Sequence, residues 1–194
     1  QKHERLSLLF PKKPDLVVWP EAAMPVFIQS EPIYQQRLMG LTQQGDFDLL
    51  FGAPAFQVDP NNKVVLLNSA YLLRSESRNW APDRYDKIHL VPFGEYVPLQ
   101  SSLLFFVSKM VEGIGSFVPG GTPTVMRVGP AQIGTLICYE VIFPELVRRF
   151  AKNGANLLVA ITNDAWFGRS AAPYQHFSMV VFRAVENRVP YARA

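Results

Sequence analysis

The chain is poor in several residue types that usually mark a protein's class. It has one cysteine in 194 residues, three histidines and a charged fraction of 18%. A single cysteine cannot close an internal disulfide, so a disulfide scaffold is excluded and the redox compartment is not legible. His3, His89 and His176 are too scattered for metal-ligand spacing, and no metal or cofactor is expected. A net charge of +3, with no block of like charge, argues against nucleic acid as a partner. No apolar run approaches the roughly 18 residues of a spanning helix, and no signal peptide opens the chain. It begins in polar, helix-like sequence at Gln1 and stops straight after a strand-like segment. It is therefore expected to be a piece of a longer protein, with room for membrane segments elsewhere.

What is present is a hydrophobic fraction of 48%, enough for one domain with a real core. Gln1 to Phe10 reads as the tail of a helix ended by Pro11 and Pro14. Leu16 to Trp19 is a short apolar strand stopped by Pro20, with Glu21 next. Glu31 to Gln44 has Ile33, Leu38 and Leu41 at roughly helical spacing, and Gly45 closes it. Asp48 to Gly52 is a short strand. Val64 to Leu67 is the centre of another, behind a turn at Asn61-Asn62. Tyr85 to Leu90 reads as a strand with Lys87 within it. Thr124 to Val128 and Gln132 to Cys138 pair across Gly129-Pro130. Pro144 to Lys152 is a helix ending at Asn153-Gly154, and Leu157 to Ile161 is a buried strand. Pro173 to Asn187 is a helix with Phe177, Val180, Val181 and Val185 assigned to its apolar face. Val189 to Ala192 starts a last strand. Strands and helices alternate, with hairpin-like pairs mixed in, which predicts an α/β sandwich of mixed sheets covered by helices. Such sheets gather chemistry at the carboxyl ends of their strands.

The only cysteine follows one of these strands. Ile133 to Ile137 leads straight into Cys138, with Glu140 two residues on. Acyl transfer through a thiol needs a base, positive charge or N–H donors for the oxyanion, and a proton for the leaving group. Glu21, Lys87 and Cys138 are candidates for base, oxyanion stabiliser and nucleophile. From the residues alone the bland reading stands beside this one: a lone cysteine after an apolar run is more often an inert core residue. Lys87 reads equally as a surface lysine, and Glu21 as a cap for the segment after Pro20.

The flanking residues go further. Trp19-Pro20-Glu21, Tyr85-Asp86-Lys87-Ile88-His89-Leu90 and Ile137-Cys138-Tyr139-Glu140 occur in that order and together resemble the nitrilase superfamily. Val91-Pro92-Phe93-Gly94-Glu95-Tyr96-Val97-Pro98 narrows the resemblance, as do Thr162-Asn163-Asp164-Ala165-Trp166-Phe167-Gly168, Pro173-Tyr174-Gln175-His176 and Arg183-Ala184-Val185-Glu186-Asn187-Arg188. The set is similar to the apolipoprotein N-acyltransferase family, from about Asp15 to the last residue. That resemblance implies a nitrilase-like αββα sandwich of two mixed sheets flanked by helices. Residues 1–194 would be a partial catalytic domain, without the family's first strand, last strands and membrane helices. It implies an enzyme of the bacterial inner membrane, catalytic on the periplasmic face. A fatty acyl chain would pass from a phospholipid, through a thioester, to the α-amino group of an apolipoprotein's diacylglyceryl-cysteine. Glu21 would be the base, Lys87 the oxyanion stabiliser and Cys138 the nucleophile. Glu95, Tyr139, Glu140, Trp166 and Glu186 would support the site. A competing view of Glu95 makes it a structural acid pairing with a lysine or a backbone loop. A thiolate beside Lys87 is expected to be favoured by that charge.

Leu103, Leu104, Phe105, Phe106, Val107 and Met110 are too apolar for an ordinary exposed loop. They read either as a buried helix or as a lid that dips into a bilayer and guides acyl chains. A soluble amidase with the same three residues, and a pseudo-enzyme that only binds lipid or a partner, are the alternative readings of the chain.

Overall fold

The structure, a computed structural model, describes residues 2–96 and 116–194, and all but the side chain at position 166. Its centre is two four-stranded sheets packed face to face. In the first, β1 (Leu16–Val18) runs parallel to β2 (Asp48–Val58), which pairs antiparallel with β3 (Val64–Leu73), and β3 with β4 (Asp83–Asp86). In the second, β5 (Val125–Val128) and β6 (Ala131–Ile137) form an antiparallel hairpin. β6 then runs parallel to β7 (Leu157–Ile161), and β7 to β8 (Tyr191–Arg193). Both sheets are therefore mixed.

Apolar residues on both faces of a sheet require cover on both sides. Between the sheets, Leu50, Ala70, Leu72 and Tyr85 of the first pack with Met126, Ile133, Leu136 and Ile161 of the second. Helix α3 (Pro144–Lys152) closes the same core with Leu146, Val147 and Phe150. On the outer face of the first sheet, Leu49, Phe51 and Tyr71 pack with Leu38 and Leu41 of α2 (Pro32–Gly45). The layers run helix, sheet, sheet, helix. A short helix α1 (Lys2–Ser7) precedes β1, and Ser7 accepts a hydrogen bond from the Trp19 indole (2.9 Å).

Four expectations need correction. β2 does not stop at Gly52 but runs on through Pro54 to Val58. Asn68, opposite Pro54, gives its carbonyl to the Lys87 N–H on its other side (2.8 Å). The Pro54–Asn68 pair is thus not a hydrogen-bonded one, and the missing proline N–H costs the β2–β3 ladder nothing. Second, β4 ends at Asp86, so Lys87 lies just beyond the strand and not within it. Third, Ile33 is not on the buried stripe of α2 but 78% exposed. Fourth, helix α4 (Ala172–Asn187) buries His176, Val180 and Arg183, while Phe177, Val181 and Val185 face outward. Of the four apolar residues only Val180 marked the inward face, because the polar side chains of His176 and Arg183 occupy the rest of it.

Candidate active site

The first sheet delivers a carboxylate and an ammonium. Beyond β1 the chain stays beside β2: the Trp19 N–H donates to the Leu50 carbonyl (2.8 Å) and the Met24 N–H to that of Gly52 (3.1 Å). A Cβ at position 52 would come within 2.7 Å of the Ala22 nitrogen and 2.8 Å of the Glu21 Cα. Glycine there lets the Glu21 backbone lie directly on the strand. Lys87 is anchored by its backbone on two sides, to Asn68 and to Gly120 (2.8 Å each). Its side chain is 1% exposed, with Nζ 3.0 Å from Glu95 Oε1 and 3.5 Å from Glu21 Oε1. Asn68 Nδ2 donates to both carboxylates, at 2.9 Å to Glu21 and 2.7 Å to Glu95. Glu95 Oε2 accepts from the Val91 N–H (2.7 Å), which closes the loop on itself. Glu95 thus touches the lysine and braces its own loop.

The second sheet delivers the thiol. β6 ends at Ile137, and Cys138 opens a 3-10 turn over Cys138–Ile142 with φ +51°. That left-handed conformation is uncommon and costly for a residue with a Cβ. Glu140, fully buried, ties the turn to the lysine segment of the other sheet. Its Oε2 accepts from the Ile137 N–H (2.8 Å), and its Oε1 from Tyr85 Oη (2.7 Å), the Ile88 N–H (2.7 Å) and the His89 N–H (3.2 Å). Glu21 and Thr162, the latter just past β7, reach the thiol with hydrogen-bonding side-chain atoms. The Asn163 N–H donates to Glu21 Oε2 (3.1 Å).

Charges at this junction set the proton positions. Burial, the largest influence, opposes the ammonium of Lys87, but Glu21, Glu95 and Cys138 outweigh it and hold its pKa above the ordinary value. Burial and then the charge of Glu21 push the Cys138 thiol up to about 11, although Lys87 pulls the other way. Lys87 thus does favour the thiolate, but burial and the charge of Glu21 outweigh it. The resting group is a thiol with a carboxylate beside it to take its proton. Burial also raises the Glu140 carboxyl to about 7, with its four donors pulling it back.

The structure thus brings Glu21, Lys87, Glu95, Glu140 and Cys138 to one junction between the sheets. Tyr139 lies at its border, edge-on to Phe143 (5.2 Å), whose other contact is the stacked His89 ring (4.1 Å). Glu186 forms its ion pair with Arg183 of the same helix (3.0 Å) and not with the lysine. The backbone of Trp166 lies in the turn Asp164–Phe167, and its side chain is outside the description, as are the lid candidates Leu103, Leu104, Phe105, Phe106, Val107 and Met110. Asn68, which bridges the two carboxylates, was missed. Its one sequence signal was a polar pair, Asn68-Ser69, inside an apolar strand. Thr162 was noted only as part of a motif. Among the described residues no group of three His, Cys, Asp or Glu could hold a metal ion. A cleft of about 600 Å³ lies at the opposite ends of the strands, lined by residues such as Asp15, Asp48 and Leu157, and touches none of these groups.

A buried Glu, Lys and Cys meeting at strand ends between two sheets, each covered by helices, define the class: the chain belongs to the carbon-nitrogen hydrolase family, whose model matches residues 1–194. Solved relatives share the architecture. The NitN amidase from Nesterenkonia sp. AN1 superposes with a TM-score of 0.62 and 26% identity, over 98% of this chain and 68% of that one. A variant of that amidase, 25% identical and also at TM-score 0.62, shows the result of Michael addition of acrylamide at its active site cysteine. Among curated proteins, the chain is 54% identical over 182 residues to the apolipoprotein N-acyltransferase of Geobacter metallireducens, covering 93% of this chain and 34% of that protein. It is 36% identical over 203 residues to the protein of the same name from Allorhizobium ampelinum, covering 100% of this chain and 37% of that one. The chain spans about a third of the length of these curated relatives.

Proposed function

We propose that this chain is the catalytic part of an N-acyltransferase that moves a fatty acyl chain from a phospholipid to the α-amino group of an apolipoprotein's diacylglyceryl-cysteine. The observation that carries the reading is the junction of Cys138, at the end of β6, with Glu21 and with Lys87, whose Nζ is held 3.5 Å from the Glu21 carboxylate. The similarity to proteins named apolipoprotein N-acyltransferase, over nearly the whole chain, supports transfer to an amine over hydrolysis.

In this reading Glu21 takes the thiol proton as Sγ attacks the phospholipid ester carbonyl. The Lys87 ammonium stabilises the tetrahedral oxyanion. The C–O bond breaks, and the departing lysophospholipid oxygen takes the proton back from Glu21, leaving a thioester. The neutral α-amine of the acceptor then attacks the thioester. Glu21 receives the amine proton, the C–S bond breaks, an amide remains, and the proton returns to sulfur. Glu95 and Asn68 hold Lys87 and Glu21 at their working separation, and Glu140 joins the nucleophile turn to the lysine segment. Trp166 and Glu186 belong to the surroundings of the site by resemblance. The segment containing Leu103 to Met110 would shelter the acyl chain, each buried methylene contributing about 0.8 kcal/mol.

Residues 1–194 are, in the same reading, a partial domain of a longer enzyme at the bacterial inner membrane, facing the periplasm. Among the described residues no helix is long and apolar enough to cross a membrane. The test is incubation of the full-length protein with phospholipid vesicles, followed by mass spectrometry of the peptide bearing Cys138. An acyl adduct that an amine-bearing lipopeptide discharges is the expected result. Hydrolysis of short amides with no lipid adduct would replace the transferase by an amidase. Unchanged lipoprotein N-acylation in Cys138→Ala would remove the enzymatic reading altogether.

A further inference from the structure

A second polar cluster stands against the backbone of the nucleophile. His176 of α4 places Nε2 3.0 Å from the Cys138 carbonyl oxygen, and both residues are buried. Its Nδ1 lies 3.2 Å from Arg193 Nη2, on β8, and 3.5 Å from Asp164 Oδ1, just past β7. Arg193 also donates to Asp164 Oδ2 (2.5 Å), and its guanidinium sits over the Phe177 ring at 5.5 Å. Three neighbouring elements of the second sheet's edge thus converge on one imidazole.

We infer that His176 is a positioning residue that locks the backbone of the nucleophile, and that Arg193 selects the tautomer in which it can do so. The inference rests on the reading of Cys138 as the nucleophile. A carbonyl oxygen can only accept, so Nε2 must carry the proton. Arginine can only donate, so Nδ1, with the guanidinium as its nearer polar neighbour, presents its lone pair. The ring is therefore neutral and protonated on Nε2. Asp164 holds Arg193 in place to enforce this.

The lock has a physical task. Cys138 has φ +51°, a conformation a non-glycine residue leaves readily unless its surroundings impose it. Rotation of this peptide would turn the carbonyl and swing the Cα–Cβ bond, moving Sγ relative to Glu21 and Lys87. Glu140 fixes the N–H one residue earlier, at Ile137. His176 fixes the carbonyl of Cys138 itself, so the strained residue is held on both sides. Among the described residues no hydrogen bond of His176 reaches the thiol, Glu21 or Lys87, so its direct route to the chemistry is the Cys138 backbone, whereas Arg193 also meets Asp164, which accepts from Thr162 Oγ1 (3.3 Å).

The test uses the full-length protein with phospholipid vesicles and an amine-bearing lipopeptide. His176→Leu removes the donor, and His176→Gln returns an N–H near the position of Nε2. The expected result for His176→Leu is a kcat lower by roughly tenfold to a hundredfold, as for sub-ångström misplacement of a reacting atom, with KM within about twofold of wild type. His176→Gln should recover most of the loss at a similar melting temperature. Nitrogen-15 NMR of labelled histidine should show His176 as the neutral Nε2–H form, and Arg193→Met should mix the two tautomers. Wild-type kcat in His176→Leu, equal losses in the Leu and Gln variants, or an Nδ1–H signal in the wild type would each overturn the inference. If His176→Leu does not fold, the Gln variant and the wild-type NMR signal decide. Absence of any thioester in the wild type, or full transfer by Cys138→Ala, would instead overturn the nucleophile reading and this inference with it.

Discussion

The two sheets contribute to the junction in different ways. The first supplies charge: Glu21, Lys87 and Glu95 sit close together, and side chains hold side chains, with Asn68 bridging both acids. The second supplies geometry: Cys138 is held in a left-handed turn by bonds to its backbone neighbourhood, from Glu140 at Ile137 and from His176 at the Cys138 carbonyl. The difference teaches where each half is vulnerable. An ion cluster changes when one charge is removed, because the remaining buried charges lose their compensation. A backbone-held nucleophile changes when its donors and acceptors are removed, even with every charge in place. Glu140 belongs to both halves, since its two oxygens divide between the sheets.

The largest expected effect comes from the charged half. Lys87→Ala should slow thioester formation by about 10²- to 10³-fold, the scale for loss of an oxyanion-stabilising group. Glu95→Gln should slow it by only about tenfold, because it removes one hydrogen-bonding charge from the lysine and leaves the ammonium. Burst-phase measurement of acyl-enzyme compares the two. Equal residual rates would break the assignment of Lys87 to the oxyanion and make the cluster merely structural.

The next effect sharpens the boundary between the halves. Burial and the nearby Glu21 charge push the thiol up to about 11. Glu21→Gln removes that charge, so the midpoint for alkylation of Cys138 by iodoacetamide should move down in pH while acyl transfer is lost. A midpoint that stays in place, or rises, would mean that the carboxylate does not face the sulfur. Reactivity and catalysis should thus move in opposite directions in one variant.

The smallest effect concerns Glu140 and stability. Its folded carboxyl lies at about 7, above the ordinary 4.5. A raised acid binds its proton more tightly when folded, so its contribution is complete below about pH 4.5 and declines as pH rises through 7. Above that it is constant. Glu140→Gln should remove this slope and lower stability throughout by about 1–3 kcal/mol, from donors left facing an imperfect partner. Thermal unfolding at pH 5 and pH 8 measures both. An unchanged slope would place the titration on another group.

Much of the fold was legible because strands and helices here follow simple apolar patterns: β1, β6, β7 and α3 lie close to where the runs Leu16 to Trp19, Ile133 to Ile137, Leu157 to Ile161 and Pro144 to Lys152 put them. Pattern reading failed where the partner decides. The strand from Asp48 was expected to end at Gly52, but the side of Pro54 that lacks an N–H faces no β2–β3 ladder bond, and β2 continues. On α4, apolar side chains suggested one face, yet the buried residues are His176, Val180 and Arg183, with His176 bonded to the Cys138 carbonyl and facing Arg193. Asn68 and Thr162 carried almost no signal, since an amide or hydroxyl in a strand means little until its neighbours are known.

By itself, the sequence determined the class of chemistry: a thiol at a strand end, a lysine and acids in motifs that keep their order, in a chain with enough apolar residues to hold them in one core. Tertiary structure decided the state of that chemistry. Only the packing of one sheet on the other brings Glu21 and Lys87 to the thiol, and burial, with the Glu21 charge, keeps the proton on the sulfur. Sequence order is fixed by covalent bonds, whereas a proton's position depends on the distances and burial that folding alone creates.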